Sequence, residues 1–507
     1  MLRSYSLGLL LACAATMPAL AAARAPTRAQ APVVAPRANP DKAAAPAPVA
    51  LPTETLRQAL ASAYLTNPEL ASSRSSLRAL DEGVAQAESL KRPSLSGNIG
   101  VNQDFGAIGT FSNNGRNISG GITLQLPLFR GGLIRNSIRA AEGRVSAGTY
   151  DLAALENDVL TRATFAYEDT RRDAGVVDLD RNNVRVLQEQ LRQSRDRFEV
   201  GDLTRTDVAQ SEARLASAQA TLRAAEAQLV SSQQAYVRVI GHSPGVLASP
   251  PPLGVLPDSS EKAVRLARDG NPNLLAARAS ETASGYDVGI ARAGRRFSLS
   301  GTSSANYINY LGAAGSPLGI SNNTPGLRND RTAQTVGLSV TIPLLQGGFT
   351  SSRIRQAQAL QGQALTNIAR VDRLVTEQAR DTFEQLLSSH SQVQSAQVAV
   401  RANSLALEGV RAENSVGLRT IIEVLNAEQE LLNSRVLLVR ATHDEYVAGF
   451  NLLAALGRAN VQDLAVDVSR YDTAANGRRV RRIWNDWQSD PAPTRPEDET
   501  RLRAPSP

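Results

Sequence analysis

From Leu95 the chain alternates: Leu95, Gly97, Ile99, Val101 and Phe105 fall on one face, and Ser96, Asn98, Gly100, Asn102 and Asp104 on the other. Period-two alternation is the mark of a strand with one apolar face. A Gly/Asn/Ser-rich stretch over 105–117 follows, then Ile118, Ile122, Leu124, Leu126 and Leu128 against Ser119, Thr123 and Gln125. Two alternating runs joined by a polar loop predict a hairpin. At Leu126-Pro127-Leu128-Phe129-Arg130-Gly131-Gly132 the period changes, and beyond it the apolar positions fall three and four apart. The strand is expected to run through Pro127 and turn at Gly131 and Gly132 into a helix. Almost no helix breaker follows until Gly201. A helix of ~70 residues would be ~105 Å long, which signals a coiled coil or a similar assembly. Val200-Gly201-Asp202-Leu203-Thr204 breaks it; Gly201 suits a left-handed cap, and Thr204 or Thr206 can cap the next helix. The return helix carries heptads, with Val208, Leu215, Leu222, Leu229 and Tyr236 in one seam position and Ser211, Ala218, Ala225 and Ser232 in the other. Large against small lets helices approach closely.

Each part then comes again. Asn271-Pro272-Asn273-Leu274 answers Asn67-Pro68-Glu69-Leu70, where a helical pattern is interrupted and resumes. Phe297, Leu299, Gly301 and Ala305 alternate with Ser298, Ser300, Thr302 and Asn306, and Val336, Leu338, Val340 and Ile342 with Thr335, Gly337, Ser339 and Thr341. Ile342-Pro343-Leu344-Leu345-Gln346-Gly347-Gly348 repeats the junction at an offset of 343 − 127 = 216. The same offset relates Gly201 to Gly417 and Gly241 to Gly457, and the second seam reads Val424, Leu431, Leu438 with Ala427, Ser434, Ala441. The chain is therefore an internal duplication: a first unit over 53–256 (helix, hairpin, long helical hairpin) and a second of the same order over 257–465.

The ends differ from this body. Arg3, the short apolar run 7–15 and Ala19-Leu20-Ala21 read as a signal peptide over 1–21. The one cysteine of the 507 residues, Cys13, lies in that run and is expected to leave with it, with lipidation as the alternative; the mature chain then has no thiol chemistry. Residues 22–52 are Ala- and Pro-rich and read as an extended linker. Residues 466–507 are polar, with Arg478-Arg479-Val480-Arg481-Arg482 and then prolines, and read as a largely disordered tail in which Trp484 and Trp487 either dock or decorate. The net charge of +7 is mostly arginine interleaved with acids along helices, so solvated helix faces are expected and nucleic acid is not.

A sheet with one continuous apolar face and one Ser/Thr/Asn/Gly face suits a membrane barrel, with lipid outside and water inside. Such a sheet must close, because open edges cannot be satisfied in lipid. Four strands cannot enclose a water-filled lumen, so the barrel must be shared: two chains give eight strands and three give twelve, and spacing does not choose. A wide conduit favours twelve or more, since an eight-strand interior is filled by side chains.

The sequence resembles the TolC family of outer-membrane efflux channels. The resemblance rests on Asn67-Pro68-Glu69-Leu70, the two strand-proline-Gly-Gly junctions, Arg197-Phe198-Glu199-Val200-Gly201 with Thr206-Asp207-Val208, and Ser415-Val416-Gly417-Leu418-Arg419-Thr420-Ile421 with Val424-Leu425. It implies a mainly α protomer with a membrane β-barrel part: a homotrimer sharing a twelve-stranded barrel in the outer membrane, continuous with a long α-helical barrel in the periplasm. It also implies a periplasmic adaptor and an inner-membrane pump as partners, and an outlet for small toxic compounds or type I secreted proteins. The turns at Gly201, Leu203, Gly417 and Leu418 would be the tips that dock the adaptor. Of the family's two acidic rings at the entrance, Glu423 keeps one and Asn426 makes the other neutral; Asn414 stands where a tyrosine is expected. Arg419 matches the gating arginine, with Thr206 and Asp207 as its partners. The second strand pair lacks the expected proline at Phe297.

Other chemistry is not expected. His242, His390 and His443 are scattered, and the two Gly-Gly pairs lack a phosphate-loop lysine, so neither enzyme activity nor a metal or other cofactor is anticipated. The rival class is a structural coiled-coil protein of the envelope without a pore, which would not need four strands with a uniform apolar face.

Overall fold

The computed structural model describes residues 53–103, 116–311 and 330–492. The signal-peptide, linker and Cys13 expectations fall outside them. The first half runs β1 (Thr53–Glu54), α1 (Leu56–Thr66), α2 (Pro68–Ser89), β2 (Ser94–Gln103), β3 (Arg116–Arg130), α3 (Leu133–Glu199) and α4 (Arg205–Ile240). The second runs β4 (Val246–Leu247), α5 (Ser260–Gly270), α6 (Pro272–Ala293), β5 (Ser298–Tyr310), β6 (Asp330–Thr341), α7 (Phe349–Ser415) and α8 (Ile421–Ala455), followed by a short α9 (Ala475–Val480).

Local chemistry explains the boundaries. Asn67 and Asn271 each stop one helix and cap the next: their side chains accept from the backbone N–H of Glu69 and Leu70, and of Asn273, with a proline in the first turn. Helices α3 and α7 have 67 residues each, about 100 Å at 1.5 Å per residue. Each pairs with its return helix, α4 or α8, and α3 also packs on α2, α6 and α8. Each return helix is covered along part of its seam and more fully toward its end, where Val239 and Ile240 on α4 and Phe450, Leu452 and Leu453 on α8 are buried. Ser211, Ala218, Ser232 and Tyr236 are buried along α4, and Val424, Leu431, Ser434 and Ala441 along α8.

The four long strands form one antiparallel sheet in the order β2-β3-β5-β6, with β2 and β6 as open edges, and the short β1 and β4 pair in parallel apart from it. Its register places Leu95, Leu124, Ser303 and Val336 in one row, and Ile99, Gly120, Tyr307 and Thr332 in another, on a common face. Asn98, Gly121, Asn306 and Ala333 share a row on the opposite face. The apolar side chains stand in solvent here; Ile99 is 87% and Val336 83% exposed. The apolar-face rows span 309 − 299 = 10 residue steps on β5. At ~3.4 Å per step and a tilt near 45° that is about 24 Å, close to the ~25 Å apolar band of a membrane barrel. Among the described residues no helix is long and apolar enough to cross a membrane.

Two sequence expectations change, and Phe297 gains a partner. Strand β3 does run through Pro127, with a bulge between Pro127 and Phe129, but β6 ends at Thr341, before Pro343. The reason is pairing: β5 begins at Ser298, which is already opposite Thr341, so beyond it β6 has no partner within the chain. Phe297, where a proline was expected, stacks on Phe129 with ring centroids 4.8 Å apart. The tail is packed beyond residue 466: Val466 and Val480 are buried, and α9 packs on α2.

Candidate functional site: helical tips and strand-to-helix junctions

Both tips close in the same way. Gly201 has φ +85° and Gly417 φ +80°, the left-handed conformation that reverses a helix cheaply only in glycine. The N–H groups of Gly417 and Leu418 return to the carbonyls of Asn414 and Glu413, as those of Gly201 and Asp202 return to Phe198 and Arg197. Each return helix opens with a capping box, Thr204 with Asp207 and Thr420 with Glu423.

The capping box decides what Glu423 can do. Its Oε2 accepts from the Thr420 N–H at 2.8 Å and from Thr420 Oγ1 at 3.1 Å, and its Oε1 accepts from Arg419 Nη1 at 2.8 Å. The Thr420 backbone N–H, then Arg419, hold the carboxyl below its usual range. Arg419 also donates from Nε to Glu413 Oε2 at 2.6 Å, and Glu413 and then Glu423 keep the guanidinium above its ordinary value. Within one chain Arg419 therefore bridges the end of α7 to the start of α8. Asp207 is occupied by Thr204, whose N–H and Oγ1 donate to it at 3.0 and 2.7 Å, and Thr206 is exposed. Arg419 is not brought to Thr206 or Asp207 inside the protomer.

Asn426 accepts from Arg214 Nη2 at 2.8 Å, which ties α8 to α4. Behind it, Arg411 pairs at 2.7 Å with Glu428, which is 7% exposed and has a second oxygen without a partner. Leu203 is half-buried in a groove of about 810 Å³ that also takes in Ser194, Ile421 and Val424. The tips expose apolar side chains among polar ones: Val200 is 75%, Val416 69% and Leu418 77% exposed.

Sequence reasoning missed Glu413, Arg214 and the Arg411–Glu428 pair. Glu428 was findable as an acid in the apolar seam, three residues after Leu425 and three before Leu431. Glu413 lies six residues before Arg419, across a turn, where no periodicity points to it.

At the junctions, Gly131, Gly132, Gly347 and Gly348 all have positive φ. The surroundings differ. A Cβ on Gly131 would lie 2.7 Å from Arg296 Cβ and 2.9 Å from the Ala293 carbonyl, and Arg296 Nη1 donates to the Gly131 carbonyl at 3.3 Å. Nothing stands within 4 Å of the equivalent point on Gly347 or Gly348.

A third cluster joins the two halves along the helices. His443 on α8 is buried, with its ring nitrogens 2.9 Å from Asp169 on α3 and 2.9 Å from Asp444. Arg172 Nη1 is 3.4 Å from His443 and donates to Asp169, while its Nε donates to Asp173. Burial pushes the His443 imidazole down, but Asp169 and Asp444 outweigh it and leave the value raised. Among the described residues no group of three or more His, Cys, Asp and Glu could hold a metal ion.

Residues 59–242 and 263–458 match the family described as "Outer membrane efflux protein". The chain is 33% identical over 438 residues to the outer membrane efflux protein BepC of Brucella suis biovar 1 (strain 1330), covering 85% of this chain and 91% of that protein. To the outer membrane protein TolC of Escherichia coli (strain K12) it is 27% identical over 429 residues, 81% of this chain and 84% of that one. The fold is similar to the crystal structure of the Campylobacter jejuni CmeC outer membrane channel, with a TM-score of 0.68 at 18% identity, covering 84% and 89% of the two chains.

Proposed function

The chain belongs to the outer membrane efflux protein family, and from that premise we propose that three copies close one channel-tunnel across the outer membrane and periplasm. An efflux protein of the outer membrane needs a continuous aqueous path, and one protomer here encloses none. Four strands per chain give 3 × 4 = 12 in a trimer, wide enough for a lumen. The helices behind the strands continue the path, and their tips form its periplasmic entrance. An inner-membrane pump loads the channel through a periplasmic adaptor, which docks on the exposed tips around Gly201, Leu203, Gly417 and Leu418. The protein is the passive outlet, for small toxic compounds, type I secreted proteins or both.

The observation that carries this reading is the open sheet, with all apolar rows on one face and both edges unpaired. In hydrocarbon each unpaired edge group costs several kcal/mol, so the sheet must meet copies of itself. An envelope coiled-coil protein without a pore gives no reason for this face.

Cysteine accessibility tests it. In intact cells, Asn98→Cys and Thr302→Cys should react with small hydrophilic thiol reagents entering the lumen, and Ile99→Cys and Leu299→Cys should not. Equal labelling of both sets would refute the barrel.

A further inference from the structure

The foot of the sheet is closed once within the chain and left bare once. Between β3 and β5, Phe129 stacks on Phe297 and Arg296 lies over Gly131. The internal repeat assigns each of these a counterpart. The offset 343 − 127 = 216 carries Phe129 to Leu345 and Gly131 to Gly347, at the foot of β6. The offset 272 − 68 = 204 carries Arg296 back to Arg92 and Phe297 back to Pro93, at the foot of β2. In one protomer these counterparts stand on opposite edges of the sheet. Leu344 and Leu345 are each 91% exposed.

Arg92 holds something that Arg296 does not. Its Nη1 donates to the Ile483 carbonyl at 2.9 Å and its Nη2 to that of Arg481 at 3.2 Å, and its guanidinium lies 4.5 Å from the Trp484 ring centroid. The segment is pinned further by Asn476 to Asp81 at 3.0 Å, Arg481 to Glu142 at 3.1 Å, and the buried Val480. Yet it leaves Trp484 68% and Trp487 95% exposed. A segment anchored at this many points, displaying two large indoles beside an edge strand, is built to be covered.

We propose that residues 472–492 are a clamp between subunits, in which Trp484 and Trp487 of one copy close over Leu344 and Leu345 of the next. The proposal rests on the closed-ring reading above. Three observations choose a second copy as the occupant. The equivalent joint inside the chain is apolar and aromatic. Pro93 is smaller than Phe297 and leaves room for an indole. The uncovered leucine pair lies at the matching level of the opposite edge. The repeat also supplies an independent marker of closure. Arg139 lies 5.6 Å over the Tyr286 ring between α3 and α6; the counterparts are 139 + 216 = Arg355 and 286 − 204 = Glu82, an exposed opposite-charge pair that ring closure brings together.

The test co-expresses two single-cysteine chains, one tagged, so that a disulfide between them is intermolecular. Trp484→Cys with Leu345→Cys reports the clamp, and Glu82→Cys with Arg355→Cys reports closure alone; neither chain of a pair should give the product by itself. Both pairs should cross-link. Cross-linking of the closure pair alone would overturn the clamp and leave the ring standing; failure of both pairs would overturn the ring as well. Trp484 and Trp487 are the only two tryptophans in the chain, so intrinsic fluorescence reports this segment alone. It should shift to the red when the trimer dissociates. Quenching by brominated phospholipid without the first disulfide would show that the indoles face lipid, and would also overturn the clamp. Deleting 472–492, or changing both tryptophans to alanine, should lower the temperature at which the trimer band is lost.

Discussion

Replacing Glu423 by Gln tests whether the tips form a selective entrance. Glu413, Arg419 and Glu423 form one bonded group at the tip, with a formal charge of −1 + 1 − 1 = −1 per copy and −3 around a three-fold axis. Glu423→Gln brings the ring to zero, whereas Arg419→Gln brings it to −6. The order of cation selectivity should therefore be Arg419→Gln, then the natural chain, then Glu423→Gln. Fold perturbation is small in the acid variant, because glutamine also serves the third position of a capping box. The field of an exposed ring is screened over ~8 Å at 0.15 M salt but reaches ~30 Å at 0.01 M, so the spread between variants should widen as salt falls. The assay is reversal potential in planar bilayers under a salt gradient, with block by multivalent cations from the periplasmic side as a second readout. Glu413→Gln should resemble Glu423→Gln, since the two acids share one arginine. If Glu423→Gln leaves selectivity and block unchanged even at low salt, Glu423 is only a helix-capping acid and the constriction lies elsewhere. Arg419→Gln carries a separate consequence: it frees the end of α7 from the start of α8, so open conductance should rise and fluctuate more.

Two further outcomes follow from the geometry. A side chain at Gly417 would meet no atom within 4 Å, so Gly417→Val costs backbone strain alone, about 1–2 kcal/mol or more for a β-branched residue; trimers should form at normal levels while export and adaptor pull-down are lost, and Gly417→Asn should retain both. Normal export by the valine variant would remove the tip conformation from the mechanism. His443 is buried against Asp169 and Asp444, with Arg172, Asp173 and Glu168 also on the facing α3 and Gln228 on α4 bonding Asp173. Its folded value is raised above the ordinary 6.5, so its contribution is complete below that value and is lost as pH rises through the folded one. Hydrogen exchange in α3 around Asp169 should therefore speed up on going from pH 6 to pH 9 beyond the intrinsic base-catalysed rate, and His443→Gln should abolish the excess; an unchanged excess would exclude the imidazolium as the link.

The parts legible in the sequence are those set by local rules. Alternation placed all four strands and faced them correctly, because burial on one side imposes period two whatever the barrel's size. Gly201 and Gly417 marked the turns, because left-handed backbone excludes most other residues. Of the two caps the sequence offered, Thr204 and Thr206, the structure uses Thr204 with Asp207. The misses were set by what a residue meets across space. Where β6 stops depends on where β5 begins. Inside one protomer Arg419 bonds Glu413 across a turn of six residues, a partner that no periodicity announces. The packing of the tail draws on partners nearly 400 positions away, among them Asp81 and Arg92, whose bonds to Asn476 and to the Arg481 and Ile483 carbonyls no local pattern announces.

The two junctions bring these levels together. In sequence, Pro127-Leu128-Phe129-Arg130-Gly131-Gly132 and Pro343-Leu344-Leu345-Gln346-Gly347-Gly348 are one motif written twice. In the folded chain a side chain at Gly131 would run into Arg296, and one at Gly347 would meet no atom within 4 Å. Both keep positive φ, with 61° and 56° at the first glycine and 90° and 81° at the second. The same left-handed turn is thus kept at both sites, closed at the second by the Phe349 N–H to the Gln346 carbonyl and the Ser352 N–H to the Gly348 carbonyl, a conformation that glycine adopts freely. What differs is the neighbour, present beside Gly131 and missing beside Gly347. In the closed ring proposed above, that space would take the next subunit's Arg92 as Gly131 takes Arg296. On this account the duplication does more than lengthen the chain: it makes the joint inside a protomer and the joint between protomers the same joint, so a sheet that pairs correctly within itself already carries the rule by which copies close.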